Sequence, residues 1–124
     1  MAKSKEHVVT ILSPLRVEIC EDGFNARVLE PIIYNIDGHA IEVLPGWETD
    51  WASVPRLMWR LFPPMGRHTF AAILHDYLYE KRIGTRKRAD RLFLIVMESC
   101  HVPYWRRWAM YYAVRWFGAR AWRT

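Results

Sequence analysis

Apolar and polar positions alternate through the first part of the chain, a pattern that predicts short β-strands. Segments 8–12 and 15–19 contain several β-branched residues, and an apolar-rich segment, 27–36, runs up to Asp37-Gly38. An Asp-Gly pair between two apolar segments is typical of a tight hairpin, so residues 40–44 are predicted to form the returning strand. We therefore predict a small N-terminal antiparallel sheet of three to four strands.

In the second half, apolar residues recur with the period of an α-helix. Gly84 separates two such segments, and Thr85 is a predicted N-cap for the second of them. Because this connection is short, the two helices are predicted to form an antiparallel pair. The predicted helices comprise a short one at 55–62 and three longer ones at about 67–81, 86–100 and 103–117. The expected fold class is α+β in a single domain, 1–124, with strands mainly in 1–48 and three to four helices in 49–124.

Length and composition are those of one ordinary globular domain. The chain has 124 residues, of which 52% are hydrophobic and 25% are charged, which excludes a disordered protein. No apolar run approaches the roughly 20 residues needed to cross a bilayer. The short apolar stretch near the N-terminus contains Pro14, so we expect neither a transmembrane segment nor a signal peptide.

Charge is distributed unevenly along the chain. Residues 1–80 contain 7 Lys/Arg and 11 Asp/Glu, a net charge of −4, whereas residues 81–124 contain 11 Lys/Arg and 2 Asp/Glu, a net charge of +9. This imbalance predicts contact with an anionic surface, either phospholipid or a virion protein, although a solvated basic face stays an alternative. Nucleic acid is less favoured, because the sequence contains no recognised nucleic-acid-binding motif.

The last predicted helix combines aromatic residues at helical spacing with arginines. Such a helix suits a membrane interface, where amphipathic rings lie at the level of the headgroups. The same stripe can pack on the sheet, and helix-on-sheet packing is the favoured single explanation. The residues predicted to contact a membrane or an anion are Trp105, Arg106, Trp108, Arg115 and Trp116.

The candidate chemistry lies on the predicted helix pair. His75 and Tyr79 share a helix face, and Asp90 on the next helix is about as far from the Gly84 turn as His75 is. Asp90 could therefore accept a hydrogen bond from one ring nitrogen of His75, which would raise the basicity of the other nitrogen and let it take a proton from water. A buried structural His–Asp pair is the alternative. The catalytic interpretation requires a ring that water can reach.

Asp76 lies about 100° around the helix from His75, on an adjoining face. It would be available to bind a hard cation such as Ca²⁺. The polar loop 46–56 contains Asp50 and Ser53, which could supply cation ligands or hold His75; capping of backbone groups is the alternative. A triad with Ser53 as nucleophile lacks a Gly-x-Ser-x-Gly elbow.

Three sequence boxes resemble a family of small bacteriophage and prophage proteins that has no assigned activity. The boxes are Thr49-Asp50-x-Ala52-Ser53-Val54-Pro55-Arg56, His75-Asp76-Tyr77-x-Tyr79 and Ala89-Asp90-x-x-Phe93. The resemblance covers residues from about 20 to 118. It implies a phage-related origin, with a location in the bacterial host cytoplasm or in the virion.

The second and third boxes are also similar to the core of phospholipase A2 enzymes, especially the bacterial and parvovirus types. That resemblance implies that His75 activates water, that Asp76 binds Ca²⁺, that Asp90 orients His75, and that Tyr79 supports the network. It covers only about 20 residues. The chain departs from it in two places: no glycine-rich calcium loop is present, and Leu78 stands where the family has a disulfide cysteine.

The leading functional hypothesis is a phage-type hydrolase that cleaves phospholipid esters with a His75–Asp90 dyad and a metal at Asp76. A non-enzymatic virion or tail-assembly protein is the first alternative. A metal-dependent cell-wall hydrolase that uses His75, Asp76 and Asp50, with zinc in place of calcium, is the second.

Overall fold

The computed structural model describes residues 8–12, 16–21, 25–49, 51 and 68–123. Asp50, Ser53 and the predicted helix at 55–62 lie outside the described residues. Within them, strands precede helices, so the predicted α+β class is confirmed. The strands are β1 Val9–Ile11, β2 Val17–Ile19, β3 Ala26–Val28, β4 Ile32–Ile36, β5 His39–Val43 and β6 Glu48–Thr49, and the helices are α1 Thr69–Lys81, α2 Arg86–Ser99, α3 Tyr104–Phe117 and α4 Ala119–Arg123.

The described strands form two antiparallel sheets rather than one. β4 is the central strand of a sheet with the order β1-β4-β5, and β3 is the central strand of a sheet with the order β2-β3-β6. The segment predicted as one apolar-rich stretch, 27–36, is divided between β3 and β4. Pro31 lies at the interruption, and a proline has no N–H to donate to a strand ladder.

The predicted hairpin is confirmed between β4 and β5. Asp37 and Gly38 have φ angles of +52° and +86°, as the tight turn of a two-residue hairpin requires. Ile36 pairs with His39 at the turn, and Ile32 pairs with Val43 at the far end. Alternate residues of β4 are buried, so one face of this sheet contributes to the core.

α1 and α2 lie against each other in opposite directions, as predicted. His75 contacts Asp90, and Tyr79 contacts Arg86. The later residue of α1 thus contacts the earlier residue of α2, as in an antiparallel pair. The Thr85 hydroxyl accepts a hydrogen bond from the backbone N–H of Arg88 at 3.1 Å, which confirms the predicted N-cap. All residues of α1 from Ala71 to Tyr79 are buried, so this helix lies in the core of the protein.

The aromatic stripe of α3 faces solvent, so the expectation that it packs on the sheet is wrong. Trp105 and Trp116 are 63% and 72% exposed. α3 instead packs against α2, and its buried residues are Met110, Ala113 and Val114. Apolar residues therefore occupy two faces of this helix, and the face with the smaller side chains packs against α2.

Candidate functional site

α1 and α2 bring three polar side chains together in the core. The Nε2 atom of His75 lies 2.7 Å from Oδ1 of Asp90, and the Tyr79 hydroxyl donates a hydrogen bond to the same oxygen at 2.6 Å. His75 and Tyr79 are one helical turn apart, which places both side chains over Asp90. The structure thus unites the predicted dyad and its predicted supporting tyrosine.

Two arginines complete the surroundings of the Asp90 carboxylate. Arg115 of α3 donates a hydrogen bond to Oδ2 at 2.7 Å, and Arg86 forms an ion pair with the same oxygen at 3.7 Å. The Arg86 guanidinium also donates to the backbone carbonyls of Val114 and Arg115, at 3.0 and 3.2 Å. The carboxylate therefore joins α1, α2 and the C-terminal end of α3.

Sequence reasoning missed both arginines in this role. Arg115 was predicted to contact a membrane or an anion, yet its guanidinium binds a carboxylate inside the protein. Arg86 is four residues before Asp90 on α2, and that spacing is a recognisable signal of a helical ion pair. No comparable signal exists for Arg115, which is 25 residues away along the chain.

The surroundings of Asp90 favour its ionised form. Burial raises the pKa of this carboxyl group, but hydrogen bonds from His75, Tyr79 and Arg115 and the electrostatic interaction with His75 outweigh it, so the pKa lies below its ordinary value. Burial and the interaction with Asp90 raise the pKa of the Tyr79 phenol. Since an ionised carboxylate only accepts hydrogen bonds, the Nε2 atom of His75 carries the donated proton. In a neutral ring, Nδ1 is then the basic nitrogen.

His75 is completely buried in this structure. Its side chain is 0% exposed, and its ring packs between those of Tyr79 and Phe93, with centroid distances of 4.2 and 4.5 Å. The expectation of a ring that water can reach is therefore not met in this conformation. The dyad can hydrolyse a substrate only from a conformation that admits water and an ester to the imidazole.

Asp76 is linked to the end of β6. The Thr49 hydroxyl donates a hydrogen bond to Oδ2 of Asp76 and accepts one from the backbone N–H of Trp51 at 3.0 Å. Trp51 is buried with a φ of +61°, a conformation that is uncommon for a large residue. The loop predicted to line the site thus reaches α1 through Thr49, whose hydroxyl also binds the Trp51 backbone, and neither residue is among the predicted site residues.

The described residues supply only part of a calcium site. Carboxylate and hydroxyl oxygens, such as those of Asp76 and Thr49, are ligands of the type that Ca²⁺ prefers, but the ion takes about six to eight oxygens. Within the described ranges, no three His, Cys, Asp or Glu side chains cluster in a way that could hold a metal. Metal binding at Asp76 stays a prediction, and no chemical step is derived from it.

Gly118 provides space for Tyr79 beside the site. A Cβ atom at Gly118 would lie 2.6 Å from the Tyr79 hydroxyl oxygen and 2.4 Å from the carbonyl oxygen of Val114. Trp122 of α4 packs edge-on against the Tyr79 ring, with a centroid distance of 5.2 Å. Gly118 at the end of α3 and Trp122 of α4 therefore fix the position of the phenol that binds Asp90.

Fold and site together define an α+β protein whose helices surround a buried carboxylate bound by a histidine, a tyrosine and two arginines. Residues 26–114 match the model of a family described as "Protein of unknown function (DUF1353)", and the chain belongs to that family. The matched segment runs from β3 almost to the end of α3 and contains His75, Tyr79 and Asp90.

One relative is "Uncharacterized protein y4jT" of Sinorhizobium fredii (strain NBRC 101917 / NGR234), which is 35% identical over 75 residues. That match covers 59% of this chain and 22% of the relative, so the relative is much the longer protein. No solved structure is significantly similar to the chain. A phage origin and a phospholipase A2 activity stay predictions, because neither the family nor the relative has a described activity.

Proposed function

We propose that this protein is a phospholipase A2-like ester hydrolase in which Asp90 orients His75, and in which His75 activates water once a change of conformation admits water to its buried ring. The observation that carries the proposal is the shared oxygen of Asp90, which binds both Nε2 of His75 and the hydroxyl of Tyr79. This arrangement fixes the imidazole in one orientation and makes Nδ1 the proton acceptor. A phospholipid ester is the proposed substrate, since that is the substrate class implied by the similarity of the boxes around His75 and Asp90.

In the proposed reaction, Nδ1 of His75 takes a proton from water while the water oxygen attacks the ester carbonyl. The Asp90 carboxylate stabilises the imidazolium that forms. When the tetrahedral intermediate collapses, the carbon–oxygen bond to the glycerol breaks, and the imidazolium returns its proton to the departing alkoxide. The products are a fatty acid and a lysophospholipid. A positioned general base of this kind contributes about 10²- to 10⁴-fold to the rate.

The test is fatty-acid release by the full chain from vesicles that contain phosphatidylcholine and phosphatidylglycerol, with either calcium or a chelator present. His75→Ala should lower the rate about 100-fold or more, because the general base is lost. His39→Gln is the matched control, since His39 is exposed on β5, and its rate should equal that of the wild type. Activity that survives in a folded His75→Ala variant would refute the proposal.

Calcium dependence is tested in the same assay. Metal binding at Asp76 would be supported if the chelator lowers the rate of the wild type but calcium does not change the rate of an Asp76→Asn variant. An equal rate with and without calcium would remove the metal from the proposal and leave the dyad in place.

A non-enzymatic virion or tail-assembly role is the second candidate, and the complete burial of His75 and Asp90 favours it. On this alternative the network only holds the helices together. It predicts that the wild type turns over neither esters nor peptidoglycan, and that a change at Asp90 destabilises the fold. The described residues offer nothing that favours a zinc-dependent cell-wall hydrolase, because Asp50 lies outside them.

A further inference from the structure

Four aromatic side chains form a continuous ladder along the solvent-facing side of α3. Adjacent rings contact each other, with centroid distances of 6.1, 5.7 and 5.6 Å from one end of the ladder to the other. The ladder extends over about 18 Å, since an α-helix rises about 1.5 Å per residue. Its members are Tyr104, Trp108, Tyr112 and Trp116.

The ladder and its neighbours leave a large aromatic area in contact with water. Trp116 is 72% exposed, and Tyr104, Trp105 and Phe117 are each more than 60% exposed. With Tyr112 included, the exposed ring area is on the order of 500 Å², near the upper end of the largest patches found on monomeric proteins. An aromatic patch of this size indicates a surface that binds a partner.

Charge indicates which partner this surface fits. The guanidinium carbon Cζ of Arg106 lies 5.5 Å from the centroid of the Trp105 ring, and that of Arg107 lies 5.1 Å from the centroid of the Tyr104 ring. Cations therefore border the aromatic surface. No Asp or Glu follows Glu98 in the sequence, so the surface has no neighbouring carboxylate from α3 or α4. Amphipathic Trp and Tyr rings beside arginines match the level of the headgroups in an anionic bilayer.

A nucleic acid fits the same surface less well. Recognition of single-stranded nucleic acid relies on aromatic rings that are available for bases to stack on. In the ladder, the Tyr112 ring is covered on both sides by Trp108 and Trp116, so the central face is already occupied within the protein.

We propose that the aromatic face of α3 docks this protein on the surface of an anionic phospholipid bilayer. The inference deepens the proposed function, on which its biological meaning rests. Arg115 belongs to the docking helix and binds Asp90 at 2.7 Å, so only one side chain separates the docked helix from the dyad. None of the described helices is long and apolar enough to span a bilayer.

The test measures binding to vesicles of ether-linked phospholipids, which contain no ester and cannot be hydrolysed. Cosedimentation with vesicles that contain phosphatidylglycerol should be strong at low salt and should weaken as salt is added. The double variant Trp105→Ser/Trp116→Ser should bind about 10-fold more weakly or worse, because the two exposed indoles of α3 can no longer enter the interface. Leu29→Ser/Leu44→Ser is the matched control, since both leucines are exposed and lie outside α3, and it should bind like the wild type.

The docking proposal and the proposed function fail separately in this design. If the wild type binds vesicles, the tryptophan variant does not, and the wild type hydrolyses no ester, the result supports docking and counts against the proposed hydrolase. Equal binding to vesicles of phosphatidylcholine alone, or unchanged binding of the tryptophan variant, overturns docking. The docking proposal is also overturned if the wild type does not bind vesicles but forms a dimer or a nucleic-acid complex that the tryptophan variant cannot form. The aromatic face is then assigned to that other partner.

Discussion

Replacement of Asp90 by asparagine is expected to destabilise the fold strongly. Asparagine has nearly the same shape as aspartate, but one oxygen becomes an NH₂ group and the negative charge is lost. If the amide oxygen faces His75 and Tyr79, the new NH₂ group faces the guanidinium of Arg115. Both of these groups are hydrogen-bond donors, whereas Oδ2 of Asp90 accepted a hydrogen bond from Arg115.

The magnitude follows from the contacts that change. A hydrogen bond to a charged group contributes about 1.5–3 kcal/mol, and removal of one partner from a buried ion pair costs about 3–5 kcal/mol. The oxygen that binds His75 and Tyr79 keeps both contacts in a weaker, neutral form, and the variant no longer buries a charge. We therefore expect a loss of about 3 kcal/mol in the free energy of unfolding, out of a total of about 5–15 kcal/mol.

Urea denaturation at neutral pH, followed by circular dichroism, measures this loss. Glu18→Gln is the matched control, because it makes the same carboxylate-to-amide change in an exposed ion pair with Arg27, at 2.8 Å. The control should lose less than about 1 kcal/mol. An equally small loss in Asp90→Asn would refute the conclusion that this carboxylate holds α1, α2 and α3 together.

Three further predictions concern the same network. The pKa of Asp90 is lower in the folded protein than its ordinary value of about 3.9, so its contribution to stability is present above about pH 3.9 and is lost as the pH falls through the folded value. Urea midpoints measured down to pH 3 should therefore fall more steeply for the wild type than for Asp90→Asn. Parallel curves for the two proteins would contradict this prediction. Tyr79→Phe should lower the free energy of unfolding by about 1.5–3 kcal/mol through loss of the bond to Asp90, whereas Tyr112→Phe, at an exposed ring, should change it little. Gly118→Ala should lower the free energy of unfolding by about 1–3 kcal/mol, because the new Cβ displaces the Tyr79 hydroxyl or the α3 backbone. The same substitution should lower it by less in a Tyr79→Phe background. Equal losses in the two backgrounds would argue against the contact.

Local patterns in the sequence were sufficient to predict the three long helices α1, α2 and α3, the β4–β5 hairpin and the meeting of His75 with Asp90. Each depends on short-range geometry: the period of apolar residues, the Asp37-Gly38 turn, and two positions equally distant from a short connection. The division of the strands between two sheets was not predicted, because strand pairing depends on contacts far apart in the chain.

The partners of Asp90 and the exposure of α3 depend on how helices cross, which spacing within one helix does not determine. Arg115 reaches Asp90 only because α3 packs on α2 through Met110, Ala113 and Val114. That same packing turns the aromatic stripe towards solvent. Helical spacing identifies two apolar faces on α3, and only the three-dimensional packing decides which one is buried. The short helix α4 was likewise not predicted beyond Gly118.

The most direct measurement is the tautomer of His75, read from the ring nitrogens of the ¹⁵N-labelled protein by NMR at neutral pH. Asp90 as an ionised acceptor requires a proton on Nε2, and the proposed role of His75 as a base requires an Nδ1 that carries none. A ring protonated at Nδ1 and not at Nε2 would contradict the account, because the nitrogen facing Asp90 would have no proton to donate and the proposed base would already carry one.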